Sequence, residues 1–301
     1  MNNNISSCCL LLVLLIACST IMVTAELDGS ATYYLYTKTK SKCSDDSKTC
    51  ARYFFRELNS VLDWIPVINI EYEARLNSSL VASAADKTVI ALGFFKEMSI
   101  GGDPFRSFKM IHAFRLMPQI ANSTIPPDTG VFFTMTGGES PGSKCKNCYA
   151  GTQLNSKTNT VSYVNVTNPY DKIATLDKTW LEFTLTQGLP MTSVLSIGQD
   201  KKTKRNILLG IYINVQDPDQ PCQNNDPVYC PDGEMAVFHR DPRRCYVSDK
   251  CVKAGKCAKA TTAKCPTNYR LTSFPALPDG CLKHFCEPNF LVKTAYKVLN
   301  H

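Results

Sequence analysis

The chain has 301 residues, 15 of them cysteine, and its 33 Lys and Arg outnumber 26 Asp and Glu for a formal net charge of +7. That excess favours acidic polysaccharide, anionic lipid surfaces or wall polymers as partners. Nucleic acid is excluded by the compartment that the leader and the cysteines imply.

Met1 to Ser7 is polar, Cys8 to Ile16 is apolar, and Val23-Thr24-Ala25 places small residues before Glu26. This is the layout of a signal peptide over 1–25, although it lacks a basic leading segment. Read as a membrane anchor, Cys8 to Val23 is short of the roughly 20 apolar residues that a spanning helix needs, and it contains Ser19 and Thr20. Secretion to the extracellular space, with no transmembrane segment left after cleavage, is the expectation. Thr294 to His301 carries neither an apolar anchor tail nor a retention tetrapeptide.

Cleavage removes Cys8, Cys9 and Cys18 and leaves twelve cysteines: Cys43, Cys50, Cys145, Cys148, Cys222, Cys230, Cys245, Cys251, Cys257, Cys265, Cys281 and Cys286. An even set in an oxidising compartment reads as a disulfide framework. The sequons at Asn77, Asn122 and Asn165 are expected glycosylation sites, and all precede residue 170.

Residues 26–216 read as an α+β domain with mixed strands and about two helices. Tyr33 to Tyr36 is strand-like. Cys50, Phe54, Leu58, Val61, Leu62 and Ile65 recur at helical spacing up to Pro66. Ile68, Ile70, Tyr72, Ala74 and Leu76 then alternate with polar residues as in a half-buried strand. Val89 to Phe95 is a buried apolar run, and Asp103-Pro104 opens an expected second helix toward Met117. Strands are expected over Val131–Met135, Val161–Val166 and around the alternating Leu181, Phe183 and Leu185. Val194–Ile197 and Ile207–Val215 flank the charged stretch Gln199 to Asn206 as a hairpin with a basic tip.

Asp217-Pro218-Asp219-Gln220-Pro221 reads as a linker. Beyond it, 217–301 holds eight cysteines, few aliphatic residues and no evident internal repeat. That makes it a small, loop-dominated, cysteine-rich module stapled by bridges, with its connectivity left open among 105 pairings.

Few patterns carry catalytic chemistry. Gly138-Glu139-Ser140-Pro141-Gly142 matches the nucleophile elbow of serine hydrolases, but Pro141 removes a backbone N–H that the oxyanion hole needs, and no amphipathic helix follows. A plain turn is the better reading. Cys145-Lys146-Asn147-Cys148 has the spacing of a thiol oxidoreductase pair without a helix behind it, so a local bridge is expected. Cys43 and Cys50 bracket the expected first strand-to-helix turn, and six intervening residues suit a structural bridge. His112, His239, His284 and His301 form no metal motif, so neither a metal nor a cofactor is expected. Glu71 and Glu73 share a strand face with Asn69 and Arg75, as on a solvated surface.

The strongest binding signal is cationic. From Arg240 to Arg270 nine basic residues stand against Asp241 and Asp249, with Tyr246 and Tyr269 interleaved. Arg240, Arg243, Arg244, Lys250, Lys253 and Lys256 are the candidate contacts for a polyanion, and plain solubilising charge is the competing reading. The sequence favours a non-catalytic extracellular binding, structural or defence protein that contacts an acidic polysaccharide, a matrix or a protein surface. An enzyme using Ser140, or Cys145 with Cys148, is the alternative.

Overall fold

The computed structural model describes residues 31–38, 50–100, 103–119, 125–135, 148–157, 161–165, 168–186, 193–200, 202–215, 222, 228–257 and 264–291. The expected α+β domain with mixed strands is corrected: the chain is mostly antiparallel β-sheet. Among the described residues there are two short α-helices, α1 (Ser78–Ala82) and α2 (Lys178–Thr186).

Neither expected helix forms. In place of the first, the aromatic run Tyr53-Phe54-Phe55 makes strand β2 (Tyr53–Glu57), which turns at Leu58-Asn59 into β3 (Ile65–Val67). Aromatic residues suit a pleated surface, and β1 (Thr32–Lys38) provides the neighbour that the local pattern could not reveal. In place of the second, β5 (Val89–Ile100) and β6 (Asp103–Leu116) form one long hairpin, and His112 lies on β6. Gly101-Gly102 between them is a dipeptide of hairpin-loop composition. The reverse error occurs at Leu181 to Leu185, expected as a strand. Trp180, Leu181, Thr184 and Leu185 are buried on one face of α2, and the Asp177 carboxylate caps that helix by accepting from the Trp180 N–H at 3.1 Å.

The large sheet runs β3-β2-β1-β5-β6-β11-β10-β7-β8-β9, and β4 (Asn69–Tyr72) pairs parallel to β6. Its second half comprises β7 (Val131–Met135), β8 (Cys148–Gln153), β9 (Val161–Asn165), β10 (Ser193–Gln199) and β11 (Asn206–Asn214). The β10–β11 hairpin is the one expected from the sequence. The Asp200 carboxylate shapes its tip by accepting from the backbone N–H of Lys202 and Thr203.

The strand order shows an internal duplication. Residues 32–116 give β3-β2-β1-β5-β6, and residues 131–214 give β9-β8-β7-β10-β11, with the helix inserted at the same point in each. The details match. Both long hairpins shift register at equivalent places, between Leu92 and Gly93 and between Ser196 and Ile197. Asn77 caps α1 as Asp177 caps α2. Leu58 N–H donates to Tyr33 O, and Leu154 N–H to Phe132 O, both at 3.0 Å.

The halves join antiparallel through β6 and β11, where Tyr212 faces Leu116 and Asn214 faces Phe114. They also exchange core residues. Met117, just past β6, is buried in the second half's core with Trp180, Leu181 and Ile211. Val215, just past β11, is buried in the first half's core with Phe55, Val89 and Phe108. Each half therefore completes the hydrophobic interior of the other, which couples their stabilities.

The C-terminal region repeats as well, contrary to the expectation of none. β12 (Glu234–Arg240) pairs with β13 (Tyr246–Lys253), and β14 (Tyr269–Ala276) with β15 (Cys281–Pro288). The cysteines run Cys-x7-Cys-x14-Cys-x5-Cys and then Cys-x7-Cys-x15-Cys-x4-Cys. Each set bridges first to third and second to fourth: Cys222–Cys245 and Cys230–Cys251, then Cys257–Cys281 and Cys265–Cys286. Cys-Pro precedes both hairpins, followed in each by a left-handed residue, Gly233 or Asn268. The two hairpins enclose a small core of Ala236, Phe238, Tyr246 and Phe274. They also dock on the large sheet, where Cys286 N–H donates to Thr175 O at 2.7 Å and Tyr269 enters the second half's core.

Candidate functional site

The Arg240–Arg270 segment divides in two once folded. Strand alternation turns Arg240 of β12 inward, onto the rings of Tyr246 and Phe285, with centroid distances of 5.3 and 5.9 Å. Its guanidinium then meets Asp177 at 3.2 Å and makes a close ion pair with Glu287 of β15. Arg244 reaches Glu287 at 3.5 Å and lies over the Trp180 ring, and Arg270 of β14 reaches Glu287 at 3.1 Å. Thr272 also donates its hydroxyl to Glu287 at 3.1 Å. One carboxylate thus collects three guanidinium groups where α2, both hairpins and the Arg244 turn converge.

The electrostatics follow from burial. Burial alone would push the Glu287 carboxyl up, but Arg240, Arg244 and Arg270 outweigh it and hold the group below the ordinary range. At Asp177 burial prevails and pushes the carboxyl up, only partly offset by the Trp180 N–H and Arg240. Burial also lowers Arg244, against the pull of Glu287. This network is a structural junction. Arg240 and Arg244 are corrected from surface contacts to buried ones, and Tyr246 and Tyr269 are buried too.

What faces solvent is the described remainder, Lys259 lying outside the described residues. Arg243, Lys250, Lys253, Lys256 and Lys264 are exposed, and Lys283 joins them from β15. Tyr229 of the first hairpin region is exposed too, 61% accessible. The Cys230–Cys251 bridge links the residue after Tyr229 to the residue after Lys250, so it ties those two stretches of backbone together. The face is not purely cationic: Asp232, Asp249 and Asp279 are exposed on the same hairpins. Gly255 N–H donates to Asp279 O at 2.9 Å and ties the segment bearing Lys256 to the β14–β15 turn.

The other candidates fall elsewhere. Ser140, Cys145, Cys43, Asn122 and His301 lie outside the described residues. Cys148 opens β8, and Cys50 is disulfide-bonded. Asn77 is the half-exposed cap of α1, and Asn165 ends β9. Glu71 pairs with Lys96 at 2.5 Å and Glu73 with Lys109 at 3.4 Å, ordinary surface ion pairs. The His239 Nδ1 atom sits 2.6 Å from Asp249, and the His284 Nδ1 atom 2.7 Å from the Ser273 hydroxyl. Those two pairs stand on different hairpins. Among the described residues no cluster of His, Cys, Asp and Glu could hold a metal ion, and no helix is long and apolar enough to cross a membrane.

No family model matches the chain, and no solved structure matches it. A protein of Dictyostelium discoideum described as uncharacterized is 28% identical over 250 residues, spanning 81% of this chain and 83% of that protein. A stretch of that length takes in parts of both the large sheet and the hairpins.

Proposed function

We propose that this is an exported, N-glycosylated, non-catalytic protein that binds acidic polysaccharide through its C-terminal hairpins. Four described disulfides within 222–286 fit an extracellular setting, and the leader read over 1–25 supplies the route. In this reading 26–216 is the scaffold and 217–301 the binding module. The observation that carries it is the sorting of charge: Glu287 and Asp177 take Arg240, Arg244 and Arg270 inside, while Lys250, Lys253 and Lys256 stay outside, as does Tyr229 on the same module. The buried network holds the hairpins rigid. The outer ammonium groups then meet carboxylate or sulfate, and the ring offers a stacking surface to a sugar.

The test is retention on immobilised heparin and polygalacturonate under a salt gradient. The triple variant K250E/K253E/K256E should elute at markedly lower salt with an unchanged melting temperature, and Y229A should lower retention on both supports. Equal retention of wild type and triple variant would remove the reading.

A further inference from the structure

The internal duplication provides a comparison within one molecule. Leu58-Asn59-Ser60 and Leu154-Asn155-Ser156 form equivalent turns, with Asn59 and Asn155 both left-handed at φ 56° and 54°. After the turn the sequence of the second half continues Lys157-Thr158-Asn159-Thr160, all polar. The first half continues Val61-Leu62-Asp63-Trp64. Val61 is 102% exposed and Leu62 56%, so Val61 stands fully in water and Leu62 for the larger part. The corresponding stretch of the second half is polar in sequence, so the repeat itself does not call for apolar residues here. With the exposed Val131, Val61 and Leu62 supply the apolar surface of a candidate interaction site.

The loop is built to hold its tip outward. The Ser60 hydroxyl accepts from Leu62 N–H at 3.1 Å. Trp64 at the base lies under the Arg56 guanidinium at 5.1 Å, and Arg56 donates to Asp128 O at 3.3 Å. Asn59 is hydrogen-bonded to both the N–H and the carbonyl of Phe132, next to Val131, which is 43% exposed. The tip is therefore a convex, braced apolar knob with an indole and a cation behind it.

We propose that this knob inserts into the interfacial layer of a phospholipid membrane. The order along the loop matches the depth profile of an interface: aliphatic side chains outermost, then an indole, then a guanidinium at the level of phosphate. A convex tip suits a fluid layer, which closes around it without a preformed pocket. Asp63 is exposed between Leu62 and Trp64, and its charge limits penetration to headgroup depth, beside the choline ammonium. Binding is accordingly weak and reversible, and it does not depend on the basic hairpin face, because zwitterionic lipid suffices.

The chain has two tryptophans, and Trp180 is 6% exposed, so Trp64 reports on the loop. The full-length secreted protein is titrated with phosphatidylcholine vesicles, following emission wavelength and co-sedimentation. The expected result is a blue shift with lipid, lost in W64F and weakened at least tenfold in V61D/L62D, while D63N binds severalfold more tightly. K250E/K253E/K256E should bind these vesicles like wild type, which separates this outcome from the polysaccharide test. The absence of a shift and of co-sedimentation at millimolar lipid overturns the proposal, as does a V61D/L62D variant that binds like wild type.

Discussion

Asn59 and Asn155 hold each other's halves together. The Asn59 side chain accepts from Phe132 N–H at 2.8 Å and donates to the carbonyls of Phe132 and Leu154, while Asn155 accepts from Tyr33 N–H at 3.0 Å and donates to those of Tyr33 and Leu58. Each residue sits at the end of one hairpin and binds the opening strand of the opposite half. Asparagine is suited to the role because it tolerates the left-handed conformation and offers both an acceptor and donors.

Replacement of either asparagine by alanine removes three hydrogen bonds and places alanine at an unfavourable φ. The expected loss is about 3 kcal/mol for each variant in urea denaturation. Glycine in the same place relieves the backbone cost but restores none of the bonds, so N59G should recover only about 1 kcal/mol of the loss. Equal stability of N59A and wild type would show that the clasp contributes nothing.

The Glu287 junction predicts a pH signature. Because its carboxyl is held low in the folded protein, it contributes stability above the unfolded glutamate value of about 4.3, and that stability is lost as pH falls through the lower folded value. Asp177 has the opposite sign. Its raised value favours the fold below about pH 3.9 and loses that contribution as pH rises through the folded value. E287Q should therefore cost about 3–5 kcal/mol at neutral pH, and the gap to wild type should narrow below about pH 4. D177N keeps a competent helix cap, as Asn77 shows in the first half, and should cost only about 1–2 kcal/mol. Melting curves across pH 3 to 7 decide both.

Gly93 sits at the register shift of the long hairpin, where a Cβ would collide with the Lys109 carbonyl and the Phe108 ring. The G93A variant should lose about 1–3 kcal/mol, measured as a lowered urea midpoint. Alanine at Gly233, where nothing lies near a Cβ but φ is +81°, should cost about 1 kcal/mol from the backbone alone.

The repeated first-to-third, second-to-fourth bridging predicts peptide masses joining Cys222 to Cys245, Cys230 to Cys251, Cys257 to Cys281 and Cys265 to Cys286 after digestion without reduction. Loss of any one bridge, as in C257S/C281S, should lower stability by about 2–4 kcal/mol.

Several features were legible before folding. The even cysteine set and the low aliphatic content of 217–301 pointed to a stapled region, and the Gln199–Asn206 tip marked a hairpin. β1 was visible from its aromatic run and the half-buried strand at Ile70 from apolar alternation, because both are local properties of the chain. The helices expected over 50–65 and 103–117 were not helices. Aromatic and apolar residues at loose three- or four-residue spacing satisfy a helical template, and only the neighbouring strands β1, β5 and β11 make the extended form the one that pairs.

The sorting of the basic cluster had no local signal either. Arg240 and Arg243 look alike in sequence, yet one lies on a buried strand face opposite Glu287 and the other on an exposed turn. The exposed Val61 and Leu62 read as apolar helix positions until β2 ended short of them. The sequence by itself determined composition, charge, the cysteine inventory and the alternating strands, since each is a property of residues near one another in the chain. Tertiary structure alone decided the duplicated halves, the asparagine clasp and which cations face water. Those depend on pairings across some hundred residues, as in the 97 between Leu58 and Asn155, where side-chain identity constrains little until the partner is in place.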